Sequence, residues 1–348
     1  MAALILHIFD ADFTRQGMIE NYVSCVWQED YYGSGDFLLV CADTPNNVQL
    51  LQQWRYVYAK GKRTAMIIRY IRRESADRQI IVQGYTAKRR IAQRIVLGTQ
   101  QVSGAVEASM YALVNNNIRG LTIKTAPPVN LPGAFATQFT GTNLLDALER
   151  LGRESEIGHY VVFDYQNKQH VFTAYKGIDR TIGKPDSFGF FSEEFGNLKN
   201  LSLVDDTRMF YNVAHVAGGG EGVERVWVEV GDAAGDERFE MFVDARDIQR
   251  EEGQSEAQYL QLLAARGIER LNAHNRINPF IAEIEPSGFG VIFDLGDEVT
   301  CQSIRYGVRI DTRILHYAEI RENSKTTLKL TLGEPEITSL QVVRSWLN

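Results

Sequence analysis

Glu149, Glu154 and Glu156 are residues whose type and spacing suggest a reaction, because a pair of carboxyl groups across a cleft is the machinery of glycoside hydrolysis. Nothing in the flanking sequence marks a sugar cleft, and carboxylates near a helix end are ordinarily solvated. Asp294, Asp297 and Glu298 offer the oxygen ligands of a hard-cation site. The stronger reading is a tight turn between strands, in which Gly296 supplies a positive φ. Gly218-Gly-Gly-Glu-Gly222 has the backbone freedom to cradle an anion. No Lys-Ser/Thr follows it, no helical pattern begins there, and Glu221 and Glu224 would repel a phosphate, so it reads as a flexible hairpin loop. The histidines His7, His159, His170, His215, His274 and His316 are scattered, and four of them lie inside strand patterns, where an imidazole packs more often than it ligates. His-Glu-x-x-His, Gly-x-Ser-x-Gly, Ser-x-x-Lys, a Walker loop and a helix-opening Gly-x-Gly-x-x-Gly are all absent. The residues therefore nominate no catalytic group, no metal and no cofactor, and an assembly role rather than an enzyme is expected.

Composition narrows the class further. At 348 residues, 44% hydrophobic and 23% charged, the chain is too long and too apolar for a disulfide scaffold or a disordered protein. It has no apolar run long enough to span a bilayer, and Asp10 follows the opening apolar residues too soon for a signal peptide. Cys25, Cys41 and Cys301 form no Cys-x-x-Cys pair, which suits reduced, buried thiols in a protein made in the cytoplasm. The net charge of −7 conceals segregation: residues 1–50 carry −6, residues 51–100 carry +10, and residues 201–250 and 251–300 carry −6 each. Arg69-Tyr-Ile-Arg-Arg73 and Lys88-Arg-Arg90 invite a nucleic-acid reading. These cations alternate with apolar residues at strand spacing beside an acidic segment, and that pattern favours charge pairing within or between subunits.

Three units must position these residues, in an α+β, mainly β fold. Residues 1–97 read as a first β-barrel-like domain: short apolar runs at Leu4–Phe9, Ile19–Trp27, Phe37–Cys41 and Trp54–Tyr58, a hairpin from Thr64–Ile71 to Ile80–Tyr85, and a short helix over Ala87–Ile95. Residues 98–197 read as an α/β insert, with one helix carrying Val106, Met110, Leu113 and Val114, stopped by Asn115–Asn117. A second helix is capped by Thr142 or Asn143, and a hairpin follows from His159–Tyr165 to His170–Tyr175. Residues 198–348 return to β structure in a second barrel-like domain, with strands at Leu198–Val204, Phe210–Ala217, Val223–Val230 and Phe239–Val243. One helix over 255–274 opens on a Ser255/Gln258 capping box, and a hairpin joins Arg313–Ile320 to Leu328–Leu332 around Glu322-Asn-Ser-Lys325.

Several stretches, in this order, resemble the siphophage tail-hub family of ReqiPepy type, which is similar in fold to the central baseplate hubs of contractile phages. They are Ile19–Trp27 running into Glu29-Asp-Tyr-Tyr-Gly-Ser-Gly-Asp-Phe37, Gly84–Val96, Tyr211–Gly220, Phe239–Ile248, and Asp294-Leu-Gly-Asp-Glu-Val299 before Ile310–Ile314. The resemblance implies a homotrimeric ring in which each chain contributes two tube domains, so that three chains present a pseudo-sixfold face. Such a hub adapts the hexameric tail tube and distal tail protein, with the tape measure protein, to a threefold spike, central fibre or receptor-binding protein. It resides in the virion tail tip, is assembled in the bacterial cytoplasm, and inserts stably in no membrane. Double-stranded DNA passes through without specific binding, so acidic side chains from residues 1–50 and 201–300 are expected to line the lumen. With the chain stopping soon after the last hairpin, any hydrolase or fibre is expected to be another chain. Because strands of a tube wall must be continuous, their glycine-rich connections should emerge at its rims. The expected interface residues are accordingly Tyr31, Tyr32, Gly33 and Gly35 at one turn and Gly218, Gly219 and Gly220 at the other. The competing reading is a carbohydrate-binding or cell-wall-degrading tail protein whose Trp27, Tyr31, Tyr32 and Trp227 stack on sugars.

Overall fold

The computed structural model describes residues 4–250, 252–274, 280–284, 288–322 and 325–333. The first unit contains β1 (Leu6–Phe9), β2 (Arg15–Ile19), β3 (Ser24–Asp30), β4 (Asp36–Ala42), α1 (Pro45–Leu50), β5 (Tyr56–Ala59), β6 (Met66–Glu74) and β7 (Gln79–Thr86), closed by a 3-10 helix over Ala87–Gln93. The insert contains β8 (Thr99–Ala105), α2 (Val106–Asn117), β9 (Ile123–Thr125), β10 (Ala134–Thr140), α3 (Leu144–Ser155), β11 (Gly158–Asp164) and β12 (Gln169–Tyr175). Beyond it come β13 (Phe190–Ser192), β14 (Leu198–Leu203), β15 (Val213–Ala217), β16 (Trp227–Val230), β17 (Glu240–Asp244), α4 (Glu256–Asn272), β18 (Phe280–Ile284), β19 (Glu298–Ser303), β20 (Val308–Glu322) and β21 (Lys325–Leu332).

Strand alternation produces the main sheet. In β3 and β4 the inward side chains Cys25, Trp27, Phe37, Leu39 and Cys41 are buried, and Trp27 meets Phe37 edge-on at 5.8 Å. The path β14-β18-β21-β20-β3-β4-β7-β6-β5-β1-β2 belongs to a thirteen-stranded sheet that takes in β19 and β13 through β20. This confirms the mainly β class, but no described sheet closes on itself. To close the first unit β3 would have to pair with β2. It pairs antiparallel with β20 instead, from His316↔Asp30 to Glu322↔Ser24. Hairpins β3–β4 and β20–β21 therefore meet through their first strands, which places a local twofold axis through the sheet. The turn residues Asn323 and Ser324, and residues 334–348 of the expected last domain, lie outside the described residues.

Three cores follow from this topology. One face of the sheet buries Trp27, Phe37 and Leu39 with Leu295, Ile314 and Leu330, so the first and last strands share a core. Phe9, Phe13, Tyr56 and Ile67 pack with Leu144, Leu148, Phe163 and Phe172 of the insert. The third core is separate. Where strands of a second tube wall were expected, β16-β15-β17 leave the large sheet and form a small sheet packed on α4 through Ala214, Val216, Val243 and Leu263.

Helix ends match the sequence signals. Asn143 Oδ1 accepts from Leu145 N at 3.0 Å, and the Ser255/Gln258 box is formed in both directions, at 3.3 and 3.0 Å. Pro45-Asn-Asn47 forms the first turn of α1, with Thr44 Oγ1 accepting from Asn47 N at 3.2 Å.

Candidate functional site: a polar junction and an exposed turn

The β3–β4 connection lies where all three units meet. Tyr31 N donates to Leu315 O at 2.8 Å, and His159 N donates to Tyr31 O at 3.2 Å. The Tyr31 hydroxyl lies 3.1 Å from the carbonyls of both Glu156 and Tyr175 and accepts from Gly177 N at 3.3 Å. Its ring is clasped by Gly158 of the insert and Gly296 of the last unit, and a Cβ on either would collide with it. Tyr31 and Tyr32, expected at a subunit interface, are thus 0% and 4% exposed within a single chain. Within the chain the Tyr31 ring packs between the insert and the last unit. Gly33 is half-buried, with an added Cβ 3.1 Å from Glu149 Oε1, and Gly35 is buried against the Gln28 carbonyl.

Ionic groups hold this junction. Asp294 pairs with Arg63, whose guanidinium lies 5.3 Å from the ring centroids of Tyr160 and Tyr175. Asp297 pairs with Arg180 at 2.6 Å and accepts from Ile178 N and Asp294 N at 2.8 and 2.9 Å. Glu298 pairs with buried Arg313, which also donates to Gly296 O at 2.6 Å and to Glu156 at 3.1 Å. Each carboxylate of the candidate cation site is therefore neutralised by its own arginine, and the described residues contain no group of three metal-ligating side chains. Gly296, at φ +94, makes the tight turn that was the stronger sequence reading.

The other candidates resolve as packing. Lys88 is buried and lies 3.3 Å from the Asp30 and Tyr31 carbonyls, and burial pushes its ammonium down to about 8. Burial also raises the Glu149 carboxyl, against the pull of Lys88. Glu154 accepts from Asn272 of α4 at 2.9 Å and Glu156 belongs to Arg313, so the three glutamates have different partners and form no paired acid and base. His159 and His170 are buried with both ring nitrogens unpartnered, and burial pushes both bases down, His170 to about 3. The thiols are buried and free; burial pushes Cys25 up to about 12 and Cys41 to about 11, and raises Cys301 as well. The sugar-stacking set never assembles, because Trp27 is also buried: its Nε1 donates to Glu29 at 2.9 Å, and Lys62 lies 5.4 Å from its ring. Glu29 accepts in turn from the Tyr317 hydroxyl at 2.5 Å, and Lys62 pairs with Glu319 at 2.8 Å. Sequence reasoning singled out Lys88 only as part of a basic block read as pairing charge and missed Lys62 and Arg313; the one signal pointing to Lys62 was the surplus of cations in residues 51–100.

The Gly218–Gly220 turn is different. Gly218 N donates to Val226 O at 2.9 Å, Gly219 N donates to the Tyr259 hydroxyl at 2.8 Å, and Gly220 adopts φ +98. Beyond these anchors Glu221–Glu224 are exposed, Val223 fully so. An open groove of about 910 Å³ lies between this turn, Arg246 and the start of α4.

The same fold occurs, at 12% identity, in the tail protein from Neisseria meningitidis MC58, with a TM-score of 0.60 over 98% of this chain and 99% of that one. It occurs in the 43 kDa tail protein of prophage MuSo2 from Shewanella oneidensis, at 12% identity and TM-score 0.62 over 95% and 98% of the two chains. Prophage tail protein gp18 from Listeria monocytogenes EGD-e is similar at 12% identity and TM-score 0.54 over 99% and 98%. No curated protein sequence matches the chain. The model of the siphovirus ReqiPepy6 Gp37-like protein family matches residues 5–334. With that match spanning nearly the whole sequence, the chain belongs to the siphovirus ReqiPepy6 Gp37-like protein family.

Proposed function

We propose that three copies of this chain form the hub ring of a phage tail tip. The observation carrying this reading is the pairing of hairpins β3–β4 and β20–β21 about a local twofold within one sheet. Each chain holds two like hairpin units, so three chains would present six to a sixfold tube and three whole chains to a threefold tip. Residues 1–97 and 198–348 supply the two tube-wall units, and 98–197 buttresses them from outside. The hub joins the tail-tube ring or distal tail protein and the tape measure protein to a spike, central fibre or receptor-binding protein. It serves as a conduit for double-stranded DNA, with acidic residues of 1–50 and 201–300 facing the lumen, and it performs no catalysis. Gly33, Gly35 and Gly218–Gly220 mark the turns nearest the joints, the second more exposed than the first.

Light scattering on the purified chain, together with antibody labelling of intact particles in the electron microscope, tests this directly. The expected mass is that of three chains and the expected label is at the tail tip. A monomer or dimer at every concentration, or a label along the tube or on the head, would overturn it.

A further inference from the structure

Two exposed aromatic patches of opposite charge lie beside the two turns. The first is built on β6 and β7. The ladder slips between Ile68 and Tyr70, so Arg69 is the extra residue of a bulge, and its guanidinium lies 3.7 Å from the ring centroid of Trp54 while bonding to the Tyr85 hydroxyl. Trp54 sits at φ +70, a conformation that bulky residues rarely adopt, and is still 50% exposed. Arg89 lies 5.3 Å from the Tyr85 ring and donates to Ser34 Oγ at 3.4 Å, which ties the patch to the Gly33–Gly35 turn. Tyr70 is exposed beside them, and the exposed Arg73 and Arg89 have no ion pair among the described residues.

The second patch is the open face of β16-β15-β17, opposite α4. Trp227 and Phe242 lie 5.8 Å apart and are 54% and 57% exposed, with Arg225 beside both rings but committed to Asp244 at 2.6 Å. Val223 stands fully exposed at the adjoining turn. In the turns that flank this sheet Glu221, Glu224, Asp232, Asp236 and Glu237 are exposed and carry no ion pair among the described residues, while the exposed Arg246 at the end of β17 is taken up by Asp244 at 2.6 Å.

We propose that these patches are the two halves of one contact between copies of this chain: the Trp54/Arg69/Tyr70 patch of one copy seats on the Val223/Trp227/Phe242 face of the next. The inference rests on the ring reading above and supplies the contact that reading leaves open. Charge decides the geometry. Either patch against itself would juxtapose like charges, which disfavours a twofold dimer, whereas basic against acidic is complementary. A contact between unlike patches repeats head to tail, and a head-to-tail contact gives a ring when its rotation closes and a filament when it does not; the ring is the outcome proposed. Exposed aromatics with arginine are also the composition of an interface core rather than of a solvated face.

The test uses the full chain with Arg69→Glu and Arg73→Glu, with Glu221→Arg and Glu224→Arg, and with all four together, each followed by light scattering and circular dichroism. Each pair of reversals should lower the mass from three chains to one while leaving the fold intact, and the fourfold variant should restore three. As a second measurement, Tyr70→Cys and Val223→Cys chains are mixed and treated with a bifunctional thiol reagent, the native thiols being buried. A covalent dimer is expected in the mixture and in neither chain alone. Trimers that survive both pairs of reversals, a folded fourfold variant that stays monomeric, or a mixture without cross-links would overturn the inference and leave the ring standing. A wild-type chain that never trimerises would remove the ring reading and this contact with it. Trimeric variants that lose binding to host cell-wall polysaccharide would instead assign the Trp54 patch to a glycan.

Discussion

The turns at Gly33–Gly35 and Gly218–Gly220 have similar composition and similar places in the chain, each joining two antiparallel strands, yet one is folded inward and the other outward. Gly35 is required because a Cβ would strike the Gln28 carbonyl, while Gly220 at φ +98 and Gly222 at φ +55 serve the backbone conformation. The flanking residues decide the difference. Tyr31 and Tyr32 gain about 2 kcal/mol apiece by burial. Glu221 and Glu224 would pay a desolvation cost with no partner to offset it. Glycine content thus marks a turn without saying whether the turn binds the chain to itself or to a neighbour.

The contrast breaks most sharply at Arg313. Arg313→Ala strands Glu298 and the Gly296 carbonyl at the junction, and should cost about 3 kcal/mol in denaturant unfolding, the low end for a broken buried pair because Glu298 keeps some water. A loss below about 1 kcal/mol would mean that the junction is held by packing alone. The next effect is pH-dependent. Folded Lys88 releases its proton near 8, whereas in the unfolded chain it does so near 10.5, so between these values the unfolded state binds more protons and stability rises with pH. The penalty for the charged ammonium is fully present below about pH 8. Raising the pH from about 8 to about 9.5 should stabilise the protein by about 2 kcal/mol. Lys88→Met should flatten that slope, and an unchanged slope would exonerate this lysine. The smallest effect is expected at the outward turn, where Val223→Ser should leave unfolding within about 0.5 kcal/mol of the parent chain. A larger loss would show that the exposed turn also stabilises the single chain.

Much of the fold was legible where the signal is local. Alternation located β3, β4, β6, β7, β11 and β12, and apolar periodicity located α2, α3 and α4, the last two with side-chain caps as well. The ribbon of β8 and β10 was not legible, since Thr99–Ala105 has a single buried side chain, Val102, and α1 is too short to show a helical period. The β3–β20 pairing was hidden for another reason. Its register joins residues as far apart as Ser24 and Glu322, and no window of sequence contains both partners. The same holds for the site: His159 and His170 read correctly as packed side chains from their neighbours, but Arg313 looks like any outward arginine of an alternating strand until the Gly296 turn folds over it.

That distant pairing bears on how the protein is made. While the chain is being synthesised from its N terminus, β3 has β4 on one side and only unsatisfied N–H and C=O groups on the other, until β20 emerges nearly three hundred residues later. A prematurely terminated product would keep that sticky edge for good, and half of the shared core beneath it would stay wet. The β3–β20 seam therefore makes burial of β3 conditional on synthesis of nearly the whole chain: a fragment that ends before β20 leaves one edge of β3 unpaired.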